Sequence, residues 1–112
     1  MPIPRDARLL RMFFGEDDRA DGKPLYEVLV LLARERALAG ATVLRGPMGF
    51  GHASHLHTAK ILRLSQDLPV VVEIVDADDK IRAYLDAASP LLGSALVTIE
   101  RVEVIRYGSR SE

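Results

Sequence analysis

Three consecutive valines, Val70-Val71-Val72, followed by Ile74-Val75, place apolar side chains at both alternating positions of one extended segment, and Phe13-Phe14 does the same in another. Successive residues of a strand point to opposite faces, so strands built on these runs are apolar on both sides. An antiparallel sheet with one face in water alternates apolar and polar residues instead. The chain holds two amphipathic segments able to cover such a sheet. Pro24 suits the first turn of a helix, where its missing N–H costs nothing. Leu25, Val28, Leu29 and Leu32 then recur at helical spacing, and so do Ile81, Tyr84, Leu85 and Ala88. Two helices shelter one face. The other face is expected to pack against further copies of the chain, because large exposed apolar patches are rare on monomers.

Around the helices the sequence reads as strands. Leu9–Phe14 ends at Gly15, Ala41–Arg45 follows the first helix, and Leu96–Tyr107 closes the chain. Lys60–Leu64 and Val70–Val75 are two further apolar segments parted by Leu68-Pro69. They read either as one interrupted strand or as a short strand and a long one. Gly40 is expected to close the first helix in a left-handed conformation. Asp76 is expected to cap the second, with Asp79 beside the positive helix end, and Pro90 and Gly93 to stop it. Glu16–Gly22 reads as a polar, solvated loop. The order βαββαβ predicts an α+β, ferredoxin-like fold, an antiparallel sheet with two helices on one face. At 112 residues the chain is expected to make a single domain, with its core at about 8–108.

Composition removes several classes of function. Fifteen basic residues stand against sixteen acidic ones, a net charge of −1, which argues against nucleic-acid binding by bulk charge. There is no cysteine, so disulfides, thiolate nucleophiles and Cys-based zinc sites are excluded. Arg8 and Arg11 interrupt the N-terminal apolar stretch, which is therefore not expected to serve as a signal peptide. The run Leu25–Ala33 is far short of a membrane helix. The expected compartment is the cytoplasm.

The loop Gly46–His57 carries what chemistry the sequence offers. Its glycines Gly46, Gly49 and Gly51 allow tight turns, and successive N–H groups in such a loop can form an anion nest. It matches neither phosphate-loop pattern, and a plain long hairpin loop is the alternative. His52, His55 and His57 are all the histidines of the chain. They could hold a transition metal, although no carboxylate lies between Gly46 and Lys60. Solvated loop histidines are the plainer reading. Ser54 lies between two histidines but in no nucleophile motif, and the expectation is that the protein is not an enzyme. Arg106, near the end of the last strand, is the better cation for an anion; Arg45 and Lys60 could add charge.

Four stretches together resemble the PII signalling superfamily, and its PII-like branch most closely. They are Val43-Leu-Arg-Gly46, Gly49-Phe50-Gly51-His52, Asp67-Leu-Pro-Val-Val-Val-Glu-Ile-Val75 and Glu100-Arg-Val-Glu-Val-Ile-Arg-Tyr-Gly108. The resemblance spans roughly Leu9 to Gly108. It implies a homotrimer whose sheets face the threefold axis, and an effector loop beginning at Gly46. It also implies a small anionic ligand, an adenine nucleotide being the candidate, bound in clefts between subunits. The ligand-binding residues it suggests are Arg45, Gly46, Gly49, Phe50, Gly51, His52 and Arg106. Binding would act through a flexible loop on a regulated partner protein, for which a membrane transporter is one candidate.

The pattern also departs from the family. His52-Ala-Ser-His55 stands where Arg-Gln-Lys-Gly is usual, and the loop tyrosine is missing. Ala88-Ser-Pro-Leu-Leu-Gly93 replaces the glycine-rich phosphate loop, and Val104 replaces the first of two arginines. The resemblance therefore carries the fold further than the standard nucleotide site. The alternative function is a metal-binding or metal-tolerance protein using His52, His55 and His57.

Overall fold

The structure, a computed structural model, describes residues 3–50 and 67–108. Strand β1 (Asp6–Gly15) leads into a two-residue hairpin, β2 (Arg19–Ala20) and β3 (Lys23–Pro24), and then helix α1 (Leu25–Glu35). Strands β4 (Thr42–Arg45) and β5 (Pro69–Asp76), helix α2 (Asp78–Leu92) and strand β6 (Leu96–Glu103) follow. The main sheet runs β4-β5-β1-β6, with every neighbouring pair antiparallel. Apart from the small hairpin, this is the ferredoxin-like βαββαβ arrangement expected from the sequence.

The register separates the two faces. Leu10 pairs with Ile74 and Met12 with Val72, and these four side chains are fully buried. They face Leu25, Leu29 and Ala33 of α1 and Ile81, Tyr84 and Ala88 of α2, which form one core with them. The Tyr84 hydroxyl donates to the Leu29 carbonyl at 2.8 Å, joining the two helices. Burial raises its pKa above the ordinary phenol value. On the opposite face no helix lies among the described residues. Phe13 sits across from Val71 and Leu96, Leu44 continues the row beyond Val71, and Leu9 pairs with Val75. Leu44 and Leu96 are 49% and 60% exposed, which leaves the apolar open face the valine run implied.

Several boundaries differ from expectation for physical reasons. Gly40 does not end α1. Ala37 takes the left-handed conformation (φ 61°), with Leu38 N–H donating to the Ala33 carbonyl and Ala37 N–H to the Arg34 carbonyl. Those bonds satisfy the last carbonyls three residues earlier than the glycine would. Pro24 lies one position before α1, as its N-cap, and Pro90 lies inside α2. Pro90 removes a single bond in the final turns, on the exposed side of the helix, and Gly93 (φ 55°) ends it as expected. Strand β6 stops at Glu103, so Val104–Tyr107 lie beyond the ladder.

Asp76 is not the N-cap of α2. Ala77 holds that position, without a side-chain cap. The Asp76 carboxylate, 4% exposed, instead accepts from Ala39 N–H at 2.8 Å and Ala77 N–H at 2.7 Å. It ties the α1–β4 connection to the end of β5.

Candidate functional site

The sheet ends in a cleft of about 940 Å³. Its floor follows from the register: β1 closes at Gly15 opposite Pro69, β4 closes at Arg45 opposite Val70, and β6 opens at Leu96 opposite Phe13. Four strand ends therefore converge there. Phe13, Leu44, Val71 and Leu96 give apolar walls, and Phe50, 67% exposed, overhangs them. Arg11 and Glu73 line the inner end, and Asp18, Asp67 and Arg45 the outer one.

Two of the loop glycines have a steric cause. A Cβ on Gly46 would stand 2.9 Å from Pro69 Cγ, and one on Gly49 3.1 Å from the same atom. Gly49 also has a φ of 153°. Both positions let the chain leave β4 flat against the proline ring. Gly46 N–H donates to the Pro69 carbonyl at 2.8 Å, so it extends the ladder rather than pointing at an anion. That corrects its assignment as a nest donor.

The acidic corner after β1 is also more than a solvated loop. Gly15 N–H donates to Asp18 Oδ2 at 3.2 Å, Asp17 N–H to Asp67 Oδ1 at 3.0 Å, and Glu16 N–H to the Leu68 carbonyl at 2.8 Å. Glu16 Oε2 pairs with Arg45 Nη2 at 2.7 Å. One short corner thus contacts the end of β4 and the start of β5 together. The hairpin behind it turns on Asp21 and Gly22, both at positive φ (52° and 79°). An Asp-Gly pair is the sequence signal for such a turn.

Among the described residues, Arg11 is the single cation on the sheet part of the open face. Its guanidinium donates to Glu73 and Glu100, each at 2.9 Å. The Glu73 hydrogen bond, ahead of the attraction of Glu100, holds its pKa above the ordinary guanidinium value despite desolvation. The pairs let charged residues sit among Phe13, Val71 and Val75 with their partners on neighbouring strands.

The expected site residues separate. Arg45, Gly46, Gly49 and Phe50 line the cleft together. Arg106 does not join them within one protomer. It follows β6 by three residues, whereas the cleft lies at the Leu96 end of that strand. Ten residues of near-extended chain put it roughly 30 Å away. There Tyr107 Oη donates to the Ala39 carbonyl at 2.5 Å, beside the loop that Asp76 holds. Gly51, His52, Ser54, His55, His57 and Lys60 lie outside the described residues, as does the apolar segment Lys60–Leu64. Among the described residues no three His, Asp or Glu side chains are grouped to hold a metal ion. Sequence reasoning missed Phe13, Leu96 and Asp67 as lining of the cleft, and Glu16 as the partner of Arg45. Only their positions at strand ends mark them, and those follow from register.

A family model, DUF190 (Uncharacterized ACR), matches residues 7–104. The chain belongs to the DUF190 family. A UPF0166 protein of Aquifex aeolicus is 43% identical over 98 residues, covering 88% of this chain and 92% of that protein. Among solved structures, CPII of Thiomonas intermedia, bound to ADP, AMP and acetate, superposes with a TM-score of 0.63 at 14% identity, over 90% of each chain. A putative PII-like signaling protein of Thermus thermophilus superposes with a TM-score of 0.62 at 13% identity, over 94% of each. The DUF190 chain thus has the PII-like fold, as its sequence motifs implied. No helix among its described residues is long and apolar enough to cross a membrane.

Proposed function

We propose that this DUF190 protein is a PII-like regulatory protein that binds an adenine nucleotide and reports its occupancy to a partner protein, without turnover. The cleft at the converging strand ends carries the proposal. It combines apolar walls and about 940 Å³ of space, ample for a purine base, with the Arg45 guanidinium at its mouth. CPII, bound to ADP and AMP, supports the choice of ligand because it shares the fold.

The assembly we propose is a homotrimer in the cytoplasm. The part of the open face beyond the cleft, around Leu9, Val75 and Glu100, is the surface it would bury, with the Arg11, Glu73 and Glu100 charges already paired within each protomer. Assembly also offers the route by which Arg106 reaches a cleft, because its own lies at the far end of the sheet. A neighbouring protomer's Arg106 would bring a planar guanidinium to the phosphates.

Calorimetry with ADP and AMP, together with sedimentation equilibrium, tests the reading. We expect saturable binding to a trimer. Arg106→Ala should weaken it by about ten- to a hundredfold, the worth of one charge-assisted contact, and leave the trimer intact. A 12.4 kDa monomer at micromolar concentration, or no heat with either nucleotide, overturns it.

A further inference from the structure

The cation at the mouth of the cleft is not waiting for a ligand. Arg45 Nη2 already holds Glu16 Oε2 at 2.7 Å, and the two side chains are 54% and 25% exposed. Glu16 is not a free-swinging partner. Its own N–H is bonded to the Leu68 carbonyl, and the residues on either side are fastened through Gly15 N–H to Asp18 and Asp17 N–H to Asp67. The carboxylate is therefore presented to Arg45 by a backbone knitted into the start of β5. Holding it there costs less side-chain and backbone entropy than an ordinary surface pair must spend.

We infer that Glu16 is a built-in competitor for the ligand's anionic group, and that it sets the concentration at which the cleft fills. The inference rests on the cleft being the ligand site. An entering anion must take the Arg45 guanidinium from Glu16. A ligand carboxylate gains little by the exchange, since it replaces one carboxylate by another of the same charge and geometry. A phosphoryl group carries more charge and a third acceptor oxygen, so it recovers more than the broken pair loses. The released Glu16 returns to water with a quarter of its side chain already exposed, which keeps the exchange reversible. Displacing Glu16 lowers every anion's affinity by one common factor, so at low concentration only the more strongly held phosphoryl ligands still fill the cleft.

Calorimetric titration with ADP, and separately with pyrophosphate and acetate, decides the matter on four proteins. These are the wild type, Glu16→Gln, Arg45→Ala and the double variant. Glu16→Gln keeps the size of the side chain and the backbone bonds of the corner, and circular dichroism checks that each variant is folded. We expect Glu16→Gln to tighten ADP, pyrophosphate and acetate by one common factor of about three- to tenfold. Arg45→Ala should weaken ADP, and Glu16→Gln should then change nothing in the Arg45→Ala background. Wild-type ADP binding that Glu16→Gln leaves unchanged or weakens overturns the role of Glu16 while the nucleotide site stands. An equal gain from Glu16→Gln with and without Arg45 also overturns it, since the gain would then be a general loss of negative charge. ADP and pyrophosphate binding to none of the four folded proteins overturns the site reading and this inference with it.

Discussion

Replacing Asp76 by alanine should be among the costliest single changes outside the apolar core. The carboxylate is 4% exposed and accepts two backbone hydrogen bonds, 2.8 Å from Ala39 N–H and 2.7 Å from Ala77 N–H, with Lys80 Nζ at 3.9 Å. A hydrogen bond to a charged group contributes about 1.5–3 kcal/mol, and a donor left buried without a partner costs about as much again. Ala77 N–H opens helix α2 and can find water, whereas Ala39 N–H loses the carboxylate it donates to. Full loss of one bond and partial loss of the other gives about 3 kcal/mol. For a domain of this length that lowers the melting midpoint by about 12 °C. Asp76→Asn keeps one acceptor oxygen and should cost about half as much. Urea and thermal unfolding at one fixed protomer concentration measure both, the fixed concentration removing the mass-action contribution of assembly. A loss under about 1 kcal/mol for Asp76→Ala, or an asparagine variant as damaged as the alanine one, would refute the assignment of Asp76 as the acceptor that holds the α1–β4 connection.

Two further changes act on features the structure makes visible. Ala37→Gly should stabilise the protein by about 0.5–1 kcal/mol, because an L side chain at φ 61° is strained and glycine relieves more than its added chain entropy costs; a shift of the urea midpoint upward at constant slope is the readout. Tyr84→Phe should cost about 1 kcal/mol at neutral pH through the loss of the bond to Leu29. It should also flatten the alkaline limb of the stability curve. Burial raises the Tyr84 pKa in the folded state, so that contribution is complete below the unfolded value near 10 and is lost as pH climbs above it, when the unfolded phenol ionises first. Unfolding followed from about pH 8 to 11 in both proteins shows whether the limb belongs to this residue.

The elements were legible because each rests on a local, repeated signal. Leu25, Val28, Leu29 and Leu32 give a helix stripe wherever the helix packs, and Val70–Val75 has no other plausible fate than a strand with two apolar faces. The misreadings are places where a residue's usual role was outweighed by a bond from elsewhere in the chain. Gly40 is the better left-handed residue, but Leu38 must fall against the core, and that fixes the turn at Ala37. Asp76 stands where a cap belongs, but Ala39, thirty-seven residues earlier, claims its carboxylate. Pro90 breaks a helix interior, yet so near the end of α2 there is little left to break. The Asp21-Gly22 hairpin, by contrast, was fully written in the sequence, and only its proximity to an acidic run disguised it.

The lining of the cleft was legible by half for a different reason. Arg45, Gly46, Gly49 and Phe50 are consecutive or nearly so, and a loop read as a unit stays a unit when folded. Their partners come from the tips of three other strands, and which tips meet is decided by register. Slipping β5 by one residue would turn Val71 inward and Val70 outward, and the cleft would exchange its apolar wall for the core. The buried set Leu10, Met12, Val72 and Ile74 forbids that slip, so the packing of the covered face dictates the composition of the cleft on the open one. The same register fixes the fate of Arg106. Because β6 begins at the cleft and runs antiparallel to β1, every residue added to its end carries Arg106 farther from Gly46 of its own protomer. A guanidinium that binds the ligand of this cleft from that position must therefore belong to another copy of the chain.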